Sequence, residues 1–165
     1  MGHSRTPENR LHRLSLADRS VHRQRARAPL RARRSGAQGG NGDYFDNLGG
    51  NGKAGAAERQ AIALAFSSFD VWETEFRRIA AGLSGGSGWV VLGFNQHTRQ
   101  LENYWMPDHA HSPAATAPIL VMDMYEHAYQ MDFGAAAAKY IDAFFQNIQW
   151  DKVATRLAAS GATKT

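Results

Sequence analysis

The amino-acid sequence predicts an α+β domain in which a three-stranded antiparallel sheet packs with helices. Three observations predict it. Two stretches before residue 83 carry apolar residues at helical spacing. Three short apolar or alternating runs follow between residues 89 and 123, separated by turn residues. Helical character then returns from residue 135. Helices, then strands, then helices is the order of an antiparallel sheet with segregated helices, not of a β-α alternation.

The elements follow in order. Ordered sequence is expected from Tyr44. Between Ala54 and Phe66, Ala57, Ala61, Leu64 and Ala65 share one helical face. Ser67-Ser68-Phe69-Asp70 offers a helix start, and Phe69, Trp72, Phe76 and Ile79 make the apolar face of a second helix that Gly82 can end. A Gly/Ser turn leads to the strand Trp89–Phe94. Asn95-Gln96-His97-Thr98 is a turn, and Gln100–Trp105 alternates like a returning strand. A loop with Pro107, Pro113 and Pro118 precedes a third strand, Ile119–Asp123. Tyr125–Met131 reads as a short helix, Ala135–Ile148 as a stronger one, and Trp150–Ala159 as the last.

Charge divides the chain in two. Residues 1–40 hold ten Arg, no Lys and two acids, a net of +8; the rest holds nine Lys/Arg against thirteen acids, a net of −4. The first part has few apolar residues and a Gly/Ser/Gln-rich end. Residues 1–43 are therefore expected to be a disordered Arg-rich segment and 44–165 the folded domain. An Arg-rich arm can meet phosphates, yet this one has no aromatic residue to stack on a base, so nucleic acid is not the expected partner. Arginine without lysine also fits GC-rich DNA translated from another frame. There is no cysteine, which excludes disulfides, thiolate metal sites and cysteine nucleophiles and leaves His and Asp/Glu as the strong ligands. No apolar stretch approaches the roughly 18–20 residues that cross a bilayer, and the N-terminus lacks a secretory apolar core. The expectation is a soluble cytoplasmic protein without a membrane partner.

The chemistry concentrates after the third strand, in Asp123-Met124-Tyr125-Glu126-His127-Ala128-Tyr129. Asp123 ends a dry strand and His127 lies four residues on, so both can face one point. A buried ionised Asp needs a partner, and a cation supplies one. The plain alternative is a helix-capping Asp123 and an ordinary core His127. Glu126 cannot easily reach back to its neighbour His127, although a Glu126 from a second subunit could; otherwise it is a solvated glutamate. Tyr129 is either a donor near the site or a core tyrosine. His109 and His111, in Pro107-Asp108-His109-Ala110-His111, are ligands, supporting donors or exposed loop residues. His97 reads as surface. Trp72, Trp89, Trp105 and Trp150 read first as core.

The motifs Gly86-Ser87-Gly88-Trp89, Asp123-Met124-Tyr125-Glu126-His127-Ala128-Tyr129, Tyr140-Ile141-Asp142-Ala143-Phe144 and Asn147-Ile148-Gln149-Trp150, at these separations, resemble the iron/manganese superoxide dismutases, chiefly their C-terminal domain. The resemblance runs from about Tyr44 to Leu157. It implies a superoxide substrate, an Fe or Mn ion and a homodimer. It implies three histidines and one aspartate as ligands, with Asp123 and His127 two of the four. It implies that Glu126 crosses the dimer interface to the partner's ligand histidine, that Tyr129 stands at the mouth of the substrate channel, and that Trp89 is a wall of the site. His109 aligns where many members carry a glutamine bonded to the metal-bound solvent, and Tyr125 stands where a tryptophan is common.

The departure lies upstream. The family's other two histidines belong to an N-terminal helical hairpin. Asn41 occupies roughly the second position, and His3, His12 and His22 sit in no matching motif. The expectation is an N-terminal half lost or replaced, and an incomplete ligand set unless one of these histidines or a partner chain completes it. The rival reading is a non-catalytic dimerising domain with a basic arm.

Overall fold

The computed structural model describes residues 41–162. The expected disorder of residues 1–40, and His3, His12 and His22, lie outside the described residues.

The element order is α1 (Asn41–Asp46), α2 (Ala56–Phe66), α3 (Phe69–Gly82), β1 (Trp89–Asn95), β2 (Gln100–Met106), β3 (Thr116–Asp123), a 3₁₀ turn (Glu126–Ala128), α4 (Gln130–Phe133), α5 (Ala137–Asn147) and α6 (Trp150–Ser160). Three strands form one antiparallel sheet in the order β2-β1-β3. The α+β expectation holds. Among the described residues no helix is long and apolar enough to cross a membrane.

Ser68 starts α3 as predicted: its Oγ accepts the Val71 N–H at 3.1 Å. Phe69, Trp72 and Phe76 are buried, but the fourth buried position is Ala80, while Ile79 is half-buried. β1 is buried along nearly its whole length, because it is the central strand. β3 begins earlier than expected, at Thr116, and includes Pro118. Proline is tolerated there because β3 is an edge strand and Pro118 sits at the register shift opposite Leu92 and Gly93.

Three further elements differ from expectation. In α2 the buried residue is Ile62, whereas Ala57, Leu64 and Ala65 of the expected face are exposed, so the helix packs through a different stripe. Ordered helix begins at Asn41, three residues before Tyr44. The stretch after Asp123 is not one helix: Tyr125 is extended (φ −67°, ψ 143°), a 3₁₀ turn follows, and α4 is a single turn. The Asp123 carboxylate diverts the chain by taking the Tyr125 N–H at 2.8 Å, a side-chain turn that competes with helix.

The core is aromatic. Trp72 packs against Phe69, Phe76, Phe145 and Trp150 with ring centroids 4.9 to 6.1 Å apart. This joins α3 to α5 and α6. The loop after α1 runs beside the α5–α6 junction, where Gln149 N–H donates to Asn47 O at 2.7 Å and Gly52 N–H to Ile148 O at 3.1 Å.

β3 exposes one edge, and side chains cover it. Its carbonyls at Ile119, Val121 and Asp123 accept from Arg156 Nη1 (3.4 Å), Asn47 Nδ2 (3.0 Å) and Tyr140 Oη (2.6 Å). The alternate spacing identifies these as carbonyls pointing away from β1. Arg156 also bonds Asn47 Oδ1 and Asp43, which fastens α1 to the sheet and to α6.

Candidate metal centre

Asp123 closes β3 directly opposite Trp89, the first residue of β1. It is 3% exposed. Its Oδ1 is held by Tyr125 N–H, and its Oδ2 lies 3.0 Å from His127 Nε2. The His127 side chain, carried by the 3₁₀ turn, is 65% exposed. The four-residue spacing thus brings the two groups together without a regular helix. Two donors bound to one ion at about 2.1 Å stand about 3 Å apart when they subtend a right angle, so the observed separation fits shared coordination.

Electrostatics agree. Burial pushes the Asp123 pKa up, and the Tyr125 N–H and the His127 ring only partly offset it. The carboxylate is short of positive charge where it stands, which a cation would supply. Among the described residues no group of three metal-ligating side chains comes together. One carboxylate and one imidazole are a donor pair that could hold a first-row cation.

The other predicted residues fall in two groups. Trp89, His109 and Tyr125 join the pair. Trp89 Nε1 donates to His109 Nδ1 at 3.0 Å. The neutral His109 ring then carries its proton on Nε2. His109, Tyr125 and His127 stack in sequence, with centroids 5.1 and 5.6 Å apart and planes within 24°. Tyr125 spaces the two imidazoles and donates to Pro107 O at 3.3 Å. Glu126 is exposed on the 3₁₀ turn.

Of the two sequence alternatives for Tyr129, residues 41–162 show the core tyrosine. It is 2% exposed and stacks on Tyr140 at 5.0 Å. The 3₁₀ turn swings residue 129 inward, and Gln130 takes the exposed position. His111 pairs with Asp108 at 2.8 Å in the loop, and that bond holds the Asp108 carboxyl below its ordinary range. His97 is exposed in the hairpin turn. Trp72, Trp89 and Trp150 are buried as expected, whereas Trp105 is exposed on β2.

A cleft of about 490 Å³ lies elsewhere, over Phe69, Phe145 and Trp150, and is not lined by Asp123, His127, Trp89, His109 or Tyr125. Arg59 and Arg77, which border it, are already engaged by Asp70, Glu73 and Asp142.

Residues 54–156 match the family model described as iron/manganese superoxide dismutases, C-terminal domain. The chain belongs to the iron/manganese superoxide dismutase family. It is 49% identical over 117 residues to a protein named superoxide dismutase (Fe) from Cupriavidus metallidurans, covering 71% of this chain and 59% of that one. It is 36% identical over 106 residues to superoxide dismutase (Mn) 2 of Halobacterium salinarum, covering 64% and 52%. It is 35% identical over 120 residues to superoxide dismutase (Mn) of Mycolicibacterium smegmatis, covering 71% and 58%. The chain thus spans between half and three-fifths of the length of these superoxide dismutases.

Site residues that sequence reasoning missed are Tyr44, Asn47, Tyr140 and Arg156. Tyr44 and Tyr140 are 96 positions apart, yet their hydroxyls meet at 3.0 Å beneath Asp123. The signal available was that both lie in segments resembling the superoxide dismutases.

Proposed function

We propose that this chain acts as a superoxide dismutase, with Asp123 and His127 as two ligands of an iron or manganese ion. The observation that carries the reading is the buried, charge-deficient Asp123 carboxylate set 3.0 Å from the His127 ring nitrogen. Family membership and relatives named for iron and manganese support the choice of ion and substrate. Such an ion, when bound, would supply one-electron exchange, so that one superoxide is oxidised to oxygen and a second takes up one electron and two protons from solvent to give hydrogen peroxide.

The chain's own residues have distinct tasks. Asp123 contributes the negative charge and His127 a neutral imidazole, a donor set suited to both metals. Trp89 forms a dry wall beside them and fixes the His109 ring. With Nδ1 accepting from Trp89, His109 would offer Nε2–H as the donor that tunes the centre through hydrogen bonding. Donors from outside residues 41–162 complete the shell. The protein works as a homodimer, in which the exposed Glu126 reaches the corresponding histidine of a second copy.

Metal analysis of the purified full chain, paired with a superoxide assay, tests this. Near-stoichiometric iron or manganese with rapid dismutation is expected, and both should be lost in Asp123→Ala and His127→Ala. Metal content unchanged in those variants would sink the assignment. The two-donor count among the described residues favours one rival, a dimerising domain without catalysis. A metal-free dimer inert toward superoxide would establish it.

A further inference from the structure

Asp123 is useful as a ligand only if its carboxylate is aimed, and a strand end is where aim is easily lost. Three hydrogen bonds fix it. The peptide after Asp123 is anchored by Met124 N–H to Gly88 O at 2.9 Å. The carboxylate is fixed by Tyr125 N–H. The carbonyl is fixed by the Tyr140 hydroxyl at 2.6 Å. That carbonyl can only accept, so Tyr140 donates to it. The Tyr140 oxygen then accepts from Tyr44 Oη, 3.0 Å away. The bonds therefore run one way: Tyr44 to Tyr140 to the Asp123 carbonyl.

Both tyrosines are buried, Tyr140 completely. Burial raises both phenol pKa values far above neutrality, so both hydroxyls keep their protons. In a dry setting each bond in such a chain polarises the next. The two residues come from opposite ends of the domain. Tyr44 is on α1, which Arg156 and Asn47 tie to β3, and Tyr140 is on α5, where Tyr129 stacks on its ring.

We propose that Tyr140 is the positioning residue for the Asp123 ligand and that Tyr44 acts through it, so that α1 controls the aim of the metal-binding carboxylate. This rests on the assignment of Asp123 as a ligand.

The test uses the full chain and the variants Tyr140→Phe, Tyr44→Phe, the double variant, and Tyr104→Phe as a control on β2. The first readout is Mn²⁺ affinity, from the electron paramagnetic resonance of free Mn²⁺. Y140F should weaken binding by about tenfold, at the low end for residues that orient a metal ligand. Y44F should weaken it less, and the double variant should match Y140F, since among the described residues the Tyr44 hydroxyl bonds only Tyr140 and the Phe ring keeps the contact with Trp89. Y104F should leave affinity unchanged. The second readout needs no metal: the Asp123 carbonyl and carboxyl ¹³C resonances of the apoprotein should move in Y140F and shift less, in the same direction, in Y44F.

Wild-type affinity in Y140F alongside lost affinity in Asp123→Ala would overturn the positioning role and spare the ligand assignment. Equal Mn²⁺ binding by wild type and Asp123→Ala would overturn the ligand assignment, and the proposal with it. Unmoved Asp123 resonances in Y140F would overturn the hydrogen-bond clamp regardless of metal. Should Y140F fail to fold, Y44F carries the same readouts, because it leaves the Tyr140–Asp123 bond in place.

Discussion

Asp123 carries a cost in the metal-free fold. Burial raises its pKa, so the folded apoprotein holds the neutral carboxyl more tightly than the unfolded chain does. The resulting stability is fully present below the ordinary carboxylate range and is lost as pH rises through the raised value. Asp123→Asn removes that ionisation. In chelator, the variant should therefore melt above the parent at neutral pH, with the gap closing toward about pH 4. Thermal melts across this range check it. A bound cation reverses the preference, so metal affinity should fall as pH drops through the same window. Asn47 is a second sensitive residue. It is fully buried, donates to Val121 O and accepts from Arg156. Asn47→Ala leaves the buried Val121 carbonyl without its side-chain donor and removes one of several partners of the half-buried Arg156, and should cost about 1–3 kcal/mol, read as a lower urea midpoint.

At the scale of elements, local chemistry sets where α3 begins and how the α1–α2 loop runs. Ser68→Ala removes the α3 cap and should cost about 1 kcal/mol by chemical denaturation. Gly52 has φ +69°, and a Cβ there would lie 2.4 Å from Phe145 O, whereas Gly49, at φ +96°, has open space around it. Both positions disfavour alanine, but Gly52→Ala should lower the melting temperature distinctly more than Gly49→Ala. These elements also show what a sequence makes legible. The Ser68 cap, the Phe69-Trp72-Phe76 face and the hairpin about Asn95–Thr98 are written in neighbouring residues and match the structure. The Asp123–His127 pair is equally local. Tyr125–Met131 misled because its composition suits a helix, while one carboxylate bond to Tyr125 N–H redirects it. The Tyr44–Tyr140 contact and the Arg156 hub link residues about a hundred positions apart, and such pairings leave no periodic trace.

For the whole molecule, Trp72 is where the halves meet. Its ring touches residues of α3, α5 and α6, and its Nε1 donates to Asn103 on β2 at 3.0 Å. Trp72→Ala should cost about 3–5 kcal/mol, a large part of the 5–15 kcal/mol typical of a domain. Loss of a sharp calorimetric transition would be the sign. The covered edge of β3 reaches further than the metal centre. A sheet edge with free carbonyls is a template for another chain, and here three of its acceptors are already occupied by Arg156, Asn47 and Tyr140. Recruitment of a foreign strand is thereby steered away from β3 toward β2, the other edge. Losing Asn47 would then do two kinds of harm: weaken the fold, and uncover an edge on which copies of the chain could begin to polymerise.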